Sequence, residues 1–176
     1  MQTTRRVLLL LLALAAVSAT VSLAQAPRED RTTRAVRREL LTLPYYGVFD
    51  HLAFSIDKGT VTLLGQVRTG SLKRDAERAL EDVEGVEQVV NDIEVLPAST
   101  HDDQIRMAAY RAIYRHSSLE RYAIQALPPI HIIVKNGHIT LEGVVSTQLD
   151  KTLAAAQARS VPQVFSVTDN LRVDTR

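Results

Sequence analysis

The stretch GTVTLLGQV, residues 59–67, recurs as GHITLEGVV at residues 137–145. In both copies apolar residues occupy every second position, which is typical of a strand with one buried face. Each copy begins with the second residue of a two-residue turn, Lys58-Gly59 in the first and Asn136-Gly137 in the second. Asn-Gly is the strongest short signal for a β-hairpin, because both residues tolerate positive φ. The sequence therefore predicts the same hairpin twice.

The repetition extends well beyond the hairpin. When residues 52–95 are compared with residues 130–173 without a gap, 12 of the 44 pairs are identical. About three identities would be expected from average amino-acid usage. This is an internal duplication with one constant offset, the one that aligns Gly59 with Gly137. Two copies are too few for a solenoid, so we expect a tandem pair of small domains.

Each copy reads as α-β-β-α-β. An amphipathic helix is expected at about Arg31–Leu41 in the first copy and Asp103–His116 in the second. The hairpin follows, then a helix that opens at Ser71 in the first copy, or at Thr147 and Asp150 in the second, and then a final strand. The predicted fold class is α+β, with two helices covering one face of a three-stranded mixed sheet in each domain. The expected domains are residues 28–96 and 103–174, joined by a linker at 97–102.

The N-terminus has the order of charges and apolar residues of a secretory signal peptide. Arg5 and Arg6 precede an uninterrupted apolar run at positions 7–17, and small residues follow to Ala26. The run is too short to cross a bilayer. We expect cleavage after Ala24 or Ala26 and favour Ala24, because cleavage after Ala26 would place a proline directly behind the scissile bond.

Charge and cysteine content exclude several classes of function. Without residues 1–26 the chain has 19 basic and 20 acidic residues, so overall charge does not favour nucleic-acid binding. The chain has no cysteine. This excludes disulfides, thiol catalysis, cysteine-bound metals and lipid attachment at a cysteine, so we expect a soluble exported protein that is held together by core packing.

The hairpin, the helix after it and a closing Val-x-x-Val-x-Asn strand together resemble the BON domain. The matching residues in the first copy are Gly59, Val61, Leu63, Gly65, Val67, Ala76, Gly85, Val86, Val89 and Asn91. Those in the second are Gly137, Ile139, Leu141, Gly143, Val145, Ala154, Val164 and Val167. The second copy departs from the pattern, with Gln163 in place of the glycine and Asn170 one position late, so we expect a looser turn there.

This resemblance has functional implications. BON domains occur in osmotically induced periplasmic proteins and in envelope proteins, often in tandem. The resemblance implies a periplasmic, non-catalytic envelope module that associates with phospholipid or with other envelope proteins.

Residues with catalytic potential are few. No phosphate-binding glycine loop, nucleophile elbow or HExxH stretch is present, and we expect no enzyme activity, cofactor or metal. In the second hairpin His131 is expected opposite Glu142, which could imitate an acid–base pair. A cross-strand polar pair on the helix-free face of the sheet explains both residues.

The first helix of the second domain carries the candidate binding residues. At 100° per residue, Ile105, Ala109 and Ile113 form the inward side, and an aromatic–arginine stripe lies opposite. The stripe consists of Arg106, Met107, Tyr110, Arg111, Tyr114 and Arg115. Tyrosine and arginine suit a phospholipid headgroup region or a protein interface. Alternatively, Tyr110 and Tyr114 pack against the first domain across the short linker.

The loop that precedes the first hairpin is also rich in aromatic residues. Tyr45, Tyr46 and Phe49 lie in the stretch LPYYGVFD, residues 43–50. They either seal the end of a small core or form the lip of a binding site.

The leading hypothesis is binding of anionic phospholipid through the stripe, in envelope maintenance or osmotic stress. The alternative is a periplasmic protein-interaction scaffold that does not bind lipid directly. The element order is similar to that of KH domains, but the chain lacks their GxxG loop and carries an export signal, so we expect no nucleic-acid partner.

Overall fold

The computed structural model describes residues 30–174. The expected signal peptide and its cleavage positions lie outside this range. The elements of domain 1 are α1 (Arg31–Leu41), β1 (His51–Asp57), β2 (Thr60–Val67), α2 (Gly70–Glu81), β3 (Gln88–Asn91) and β4 (Glu94–Val95). The elements of domain 2 are α3 (Thr100–Tyr114), a 3-10 helix (Glu120–Tyr122), β5 (Ile130–Lys135), β6 (His138–Val145), α4 (Gln148–Arg159), β7 (Ser166–Asp169) and β8 (Arg172–Val173).

Both domains build the predicted mixed sheet around the second hairpin strand. In domain 1, β2 lies between the antiparallel β1 and the parallel pieces β3 and β4, which follow one another along it. In domain 2, β6 has the same neighbours, β5 on one side and β7 and β8 on the other. The α+β fold class with two tandem domains is confirmed. The expected single closing strand is broken into two pieces in each copy.

The break in the closing strand is held by side chains at corresponding positions of the two copies. Asn91 Oδ1 accepts the N–H of Ile93 at 3.3 Å, and Lys73 Nζ donates to the carbonyl of Ile93 at 2.7 Å. In domain 2, Asp169 Oδ1 accepts the N–H of Leu171 at 3.0 Å, and Lys151 Nζ donates to its carbonyl at 2.5 Å. The aspartate thus replaces the asparagine as acceptor, and the shift of Asn170 leaves the fold intact.

The alternation of the quoted stretches places their apolar residues in two cores. In β2, Val61, Leu63 and Val67 are fully buried, and their counterparts in β6 are Ile139, Leu141 and Val145. Each core is closed by the apolar faces of the two helices of its domain. Burying one such side chain stabilises the fold by roughly 1.5–3 kcal/mol, so these pairs are scaffold.

The helix starts differ in part from those expected. α2 begins at Gly70 and is capped by Thr69, whose hydroxyl accepts the N–H of Leu72 at 3.3 Å, so Ser71 is not the start. α3 begins at Thr100, three residues before the predicted Asp103, because Ser99 caps it through the N–H of Asp102. α4 is capped by Thr147 as predicted.

The turn after α4 shares its backbone conformation with the turn after α2, but within residues 30–174 the bond from the Val86 N–H to the Val83 carbonyl, at 3.0 Å, has no equivalent at Val164, so the looser turn stays a prediction. Gln163 has a φ of 66° and Gly85, its counterpart after α2, a φ of 88°. Both residues therefore take the left-handed conformation that ends the turn, which costs a residue with a side chain about 1–2 kcal/mol.

Candidate interaction surface

The aromatic–arginine stripe divides into exposed and buried residues. Arg111 and Arg115 are exposed, Met107 is 45% exposed and Tyr110 is half-buried. Arg106 and Tyr114 are only 3% and 4% exposed. The prediction of one continuous outward stripe is therefore wrong for these two residues, and each is buried for a different reason.

Tyr114 is buried because chain beyond α3 covers the end of that helix. Leu119 and Tyr122, from residues 115–129, lie in the same core cluster as Tyr114. The Tyr114 hydroxyl donates to the carbonyl of Ile130 at 2.5 Å and accepts its N–H at 3.2 Å. Burial raises the pKa of Tyr114 well above its ordinary value, so the hydroxyl stays a donor.

Arg106 is buried because its guanidinium group spans the gap between α3 and β5. Nη2 donates to the carbonyl of Val134 at 2.6 Å, and Nη1 donates to Asp103 at 2.7 Å. Bonds from a charged donor are about twice as strong as neutral ones. Arg106 therefore fastens the helix to the strand and is not available at the surface.

These two residues act together on the outer edge of β5. An edge strand presents unpaired N–H and C=O groups. Tyr114 meets both groups of Ile130, Arg106 meets the carbonyl of Val134, and the carbonyl of Val48 in domain 1 accepts the N–H of Ile132 at 2.8 Å. The edge of β5 is thus closed by α3 and by domain 1. No motif or periodic pattern marks Val48, so sequence reasoning missed it.

The N-terminus of α3 also fastens the second hairpin. Asp102 is 1% exposed, and its carboxylate accepts the N–H groups of Asn136 at 2.9 Å and Gly137 at 2.8 Å. A carboxylate that accepts two backbone N–H groups of one turn holds that turn in a fixed orientation. α3 therefore contacts β5 and its turn along the whole length of the strand.

The predicted pairing of His131 with Glu142 is confirmed by the register of β5 and β6. Its surroundings differ from those of an open sheet face, since domain 1 covers it. Tyr46 stacks on the His131 ring with centroids 5.5 Å apart, and His51 meets the same ring edge-on at 6.1 Å. Nε2 of His51 lies 3.9 Å from the Glu142 carboxylate.

Both histidines of this interface have a lowered pKa. Burial lowers the pKa of His131, and a positive charge on His51 would lower it further. Burial also lowers the pKa of His51, and the Glu142 carboxylate opposes that effect. A lowered pKa means that the folded interface favours the neutral imidazole over the charged one. Among residues 30–174 no group of three or more His, Asp or Glu side chains could hold a metal ion.

Tyr110 contacts domain 1. This agrees with the alternative interpretation of the stripe, in which its tyrosines pack against the first domain. Its ring meets Phe49 with centroids 6.1 Å apart at 65°. The two side chains line a groove of about 390 Å³ between the domains. The other lining residues are Gly47, Val48, Met107, Ala123, Gln125, Ala126, Leu127 and Pro128. Phe49 therefore packs against the core of domain 2 and also lines a groove. Both roles considered for its loop, sealing a core and forming the lip of a binding site, apply to this residue.

The family model for the BON domain matches this chain twice, at residues 28–97 and 101–175. The chain belongs to the BON domain family. Within residues 30–174, no helix has both the length and the apolar character needed to cross a membrane.

None of the curated proteins matches the chain. The solved structures that resemble it include two of CdsD, a structural protein of the type III secretion system of Chlamydia trachomatis. The first has 10% identity and a TM-score of 0.33, covering 81% of this chain and 92% of that chain. The second, the C-terminal domain, has 12% identity and a TM-score of 0.30, covering 84% of this chain and 99% of that chain.

Proposed function

We propose that this BON protein is exported to the periplasm and binds anionic phospholipid surfaces through the exposed part of α3, in envelope maintenance or osmotic stress. BON domains are non-catalytic modules that are generally associated with envelope and periplasmic proteins. The observation that carries the proposal is the position of Met107, Arg111 and Arg115. They are exposed on α3, and Met107 and Tyr110 line the apolar groove between the domains.

The chemistry of this surface suits a membrane interface. Guanidinium groups bind phosphate through paired N–H donors. A thioether and a tyrosine ring can lie at the boundary between headgroups and acyl chains. Each arginine near an anionic surface is worth about 1 kcal/mol, so Arg111 and Arg115 together contribute about 2 kcal/mol.

Vesicle flotation tests the proposal. Arg111→Gln/Arg115→Gln should weaken binding to vesicles that contain phosphatidylglycerol by roughly 30-fold, the equivalent of about 2 kcal/mol. The matched control is Arg31→Gln/Arg34→Gln, which removes the same charge from exposed positions of α1. An equal loss of vesicle binding in both variants would attribute binding to overall charge and contradict the role of α3. Absence of binding by the wild type would refute the proposal. N-terminal sequencing of the exported protein, expected to begin at Gln25, tests the export step.

A second candidate is the protein-interaction scaffold. It is favoured by the contact of Tyr110 with Phe49, because this contact makes part of the stripe internal to the two-domain unit. The scaffold hypothesis expects Tyr110 to resist surface iodination in the isolated protein, with no vesicle binding. Ready iodination of Tyr110 would count against it.

A further inference from the structure

One loop of domain 1 makes a backbone contact with the outer edge of β5. The carbonyl of Val48 accepts the N–H of Ile132 at 2.8 Å. Two residues earlier in the loop, Tyr46 stacks on His131, the neighbour of Ile132. The loop is held in shape by Asp50, whose buried carboxylate accepts the N–H groups of Arg68 and Gly47. The contact thus joins a loop of domain 1 that supplies the accepting carbonyl to a strand edge of domain 2 that supplies the donating N–H.

The chain ahead of the second hairpin supplies a second candidate acceptor loop. Continued ahead of the duplicated segment, the offset that pairs Gly59 with Gly137 places Ile124 at the position of Tyr46 and Ala126 at that of Val48, although the connection from helix to strand spans residues 115–129 here and residues 42–50 in domain 1. Both lie ahead of β5 as their counterparts lie ahead of β1. Ile124 is 85% exposed and Ala126 is exposed. An isoleucine exposed to this degree has nothing to pack against within the described part of the chain, although its counterpart packs on the second domain.

The repeat also supplies a second donor edge. Phe54 corresponds to Ile132, and the pairing of Phe54 with Leu63 in β1 and β2 matches that of Ile132 with Leu141 in β5 and β6. The N–H of Phe54 therefore points away from β2, as that of Ile132 points away from β6. Within residues 30–174 this N–H has no backbone acceptor outside the sheet.

The edge of β1 is covered at one end only. The Tyr46 hydroxyl, whose pKa burial raises to about 12, lies beside the backbone of Leu52. Beyond Leu52 the strand faces a groove of about 560 Å³, which runs between α1 and the ends of β6 and β8. Ala53, the counterpart of His131, lies beside this groove and leaves room for a larger apolar side chain.

We propose that the edge of β1 binds the loop around Ile124 and Ala126 of a second copy of this chain. The contact continues the one that already joins the two domains, with an isoleucine on an alanine in place of the tyrosine on the histidine. Because donor and acceptor lie on different domains, the contact is heterologous and links copies head to tail, in rows or in a closed ring. A strand edge that gains backbone partners from another chain is a common mode of recognition.

Single-cysteine variants test this directly, because the chain has no cysteine of its own. Ala53→Cys and Ile124→Cys should crosslink with a short bismaleimide when they are mixed, while each alone gives little product. Leu149→Cys is the matched control for Ile124→Cys, since Leu149 is 71% exposed on α4 and lies outside the proposed contact. Crosslinking of the mixture no stronger than that of Ala53→Cys with Leu149→Cys would overturn the proposal.

Sedimentation of cysteine-free protein over a dilution series gives the second readout. Ile124→Asp should weaken self-association tenfold or more, because the contact would bury an unpaired carboxylate. Leu149→Asp should leave it unchanged. Neither change disturbs folding, since both side chains are exposed, and circular dichroism checks this. Arg111→Gln/Arg115→Gln, tested without vesicles, should retain self-association, so failure of the phospholipid proposal is distinguishable from failure of this one. A monomer at every concentration overturns the self-association.

Discussion

Replacing Tyr114 with phenylalanine removes one oxygen from the centre of the contact between α3 and β5. The ring stays in its cluster, so the apolar packing is retained. The carbonyl and N–H of Ile130 lose their hydrogen-bond partner, at 2.5 Å and 3.2 Å from the hydroxyl respectively. Ile130 is fully buried, so water cannot take the place of that hydroxyl without opening the edge of β5.

The cost follows from the two groups left without a partner. A buried donor or acceptor that loses its partner costs about 1–3 kcal/mol, and relaxation of the strand recovers part of it. For Tyr114→Phe we expect a loss of about 2–4 kcal/mol in the free energy of unfolding. At roughly 2–4 °C per kcal/mol for a chain of this size, the midpoint of thermal unfolding should fall by roughly 5–15 °C.

Urea unfolding followed by circular dichroism measures the loss, with Tyr110→Phe as the control. Tyr110 is half-buried and neighbours Tyr114 with ring centroids 4.9 Å apart, so the pair tests the same chemical change in one cluster. Tyr110→Phe should stay within about 0.5 kcal/mol of the wild type. Equal stability of the two variants would refute the role of Tyr114 at the edge of β5.

Three other perturbations probe backbone strain and buried groups. Gln163→Gly should raise the free energy of unfolding, measured with urea, by about 0.5–1 kcal/mol, because glycine takes positive φ without strain. A lower free energy of unfolding would show that the positive φ of Gln163 does not destabilise the protein. The pKa values of His51 and His131 are lowered in the folded state from 6.5, so the unfolded chain binds protons more readily. The free energy of unfolding should therefore be constant above pH 6.5 and fall below it, by up to about 1.4 kcal/mol per histidine at pH 5.5. His131→Gln should reduce this dependence, and an unchanged pH profile would exclude His131 as its source. Asp102→Asn should lower the free energy of unfolding by about 2 kcal/mol and speed amide exchange at Asn136 and Gly137, since one N–H loses its charged acceptor. Unaltered exchange would show that the carboxylate does not hold the turn.

The sheet was predictable because its determinants are local. The period-2 pattern of β2 and β6, the turn glycines and the constant offset between the copies require no knowledge of what lies next to the domain. The same locality explains why the pairing of His131 with Glu142 could be derived from the turn alone. A two-residue turn fixes the register of every residue behind it.

The orientation of the stripe on α3 was not predictable in this way. Helical periodicity separates an inner from an outer side, on the assumption that the sheet is the only neighbour. At Tyr114 the covering chain is residues 115–129, which includes a short 3-10 helix that no periodic pattern indicated. At Arg106 the guanidinium has a second destination, a strand carbonyl. A pattern of apolar and polar positions places every arginine outside, so it misses a charged residue whose partner is buried.

The structural difference between the two sheet edges arises outside the segment that shows the duplication. The residues that close the edge of β5, namely Val48, Arg106 and Tyr114, all precede their hairpins and so fall outside residues 52–95 and 130–173. The sequences of the two hairpins therefore predict equivalent edges, whereas the structure closes one and leaves the other open beside Phe54. An open edge invites pairing with another chain unless it is covered. The functional difference between the copies is thus set by the chain that leads into each hairpin.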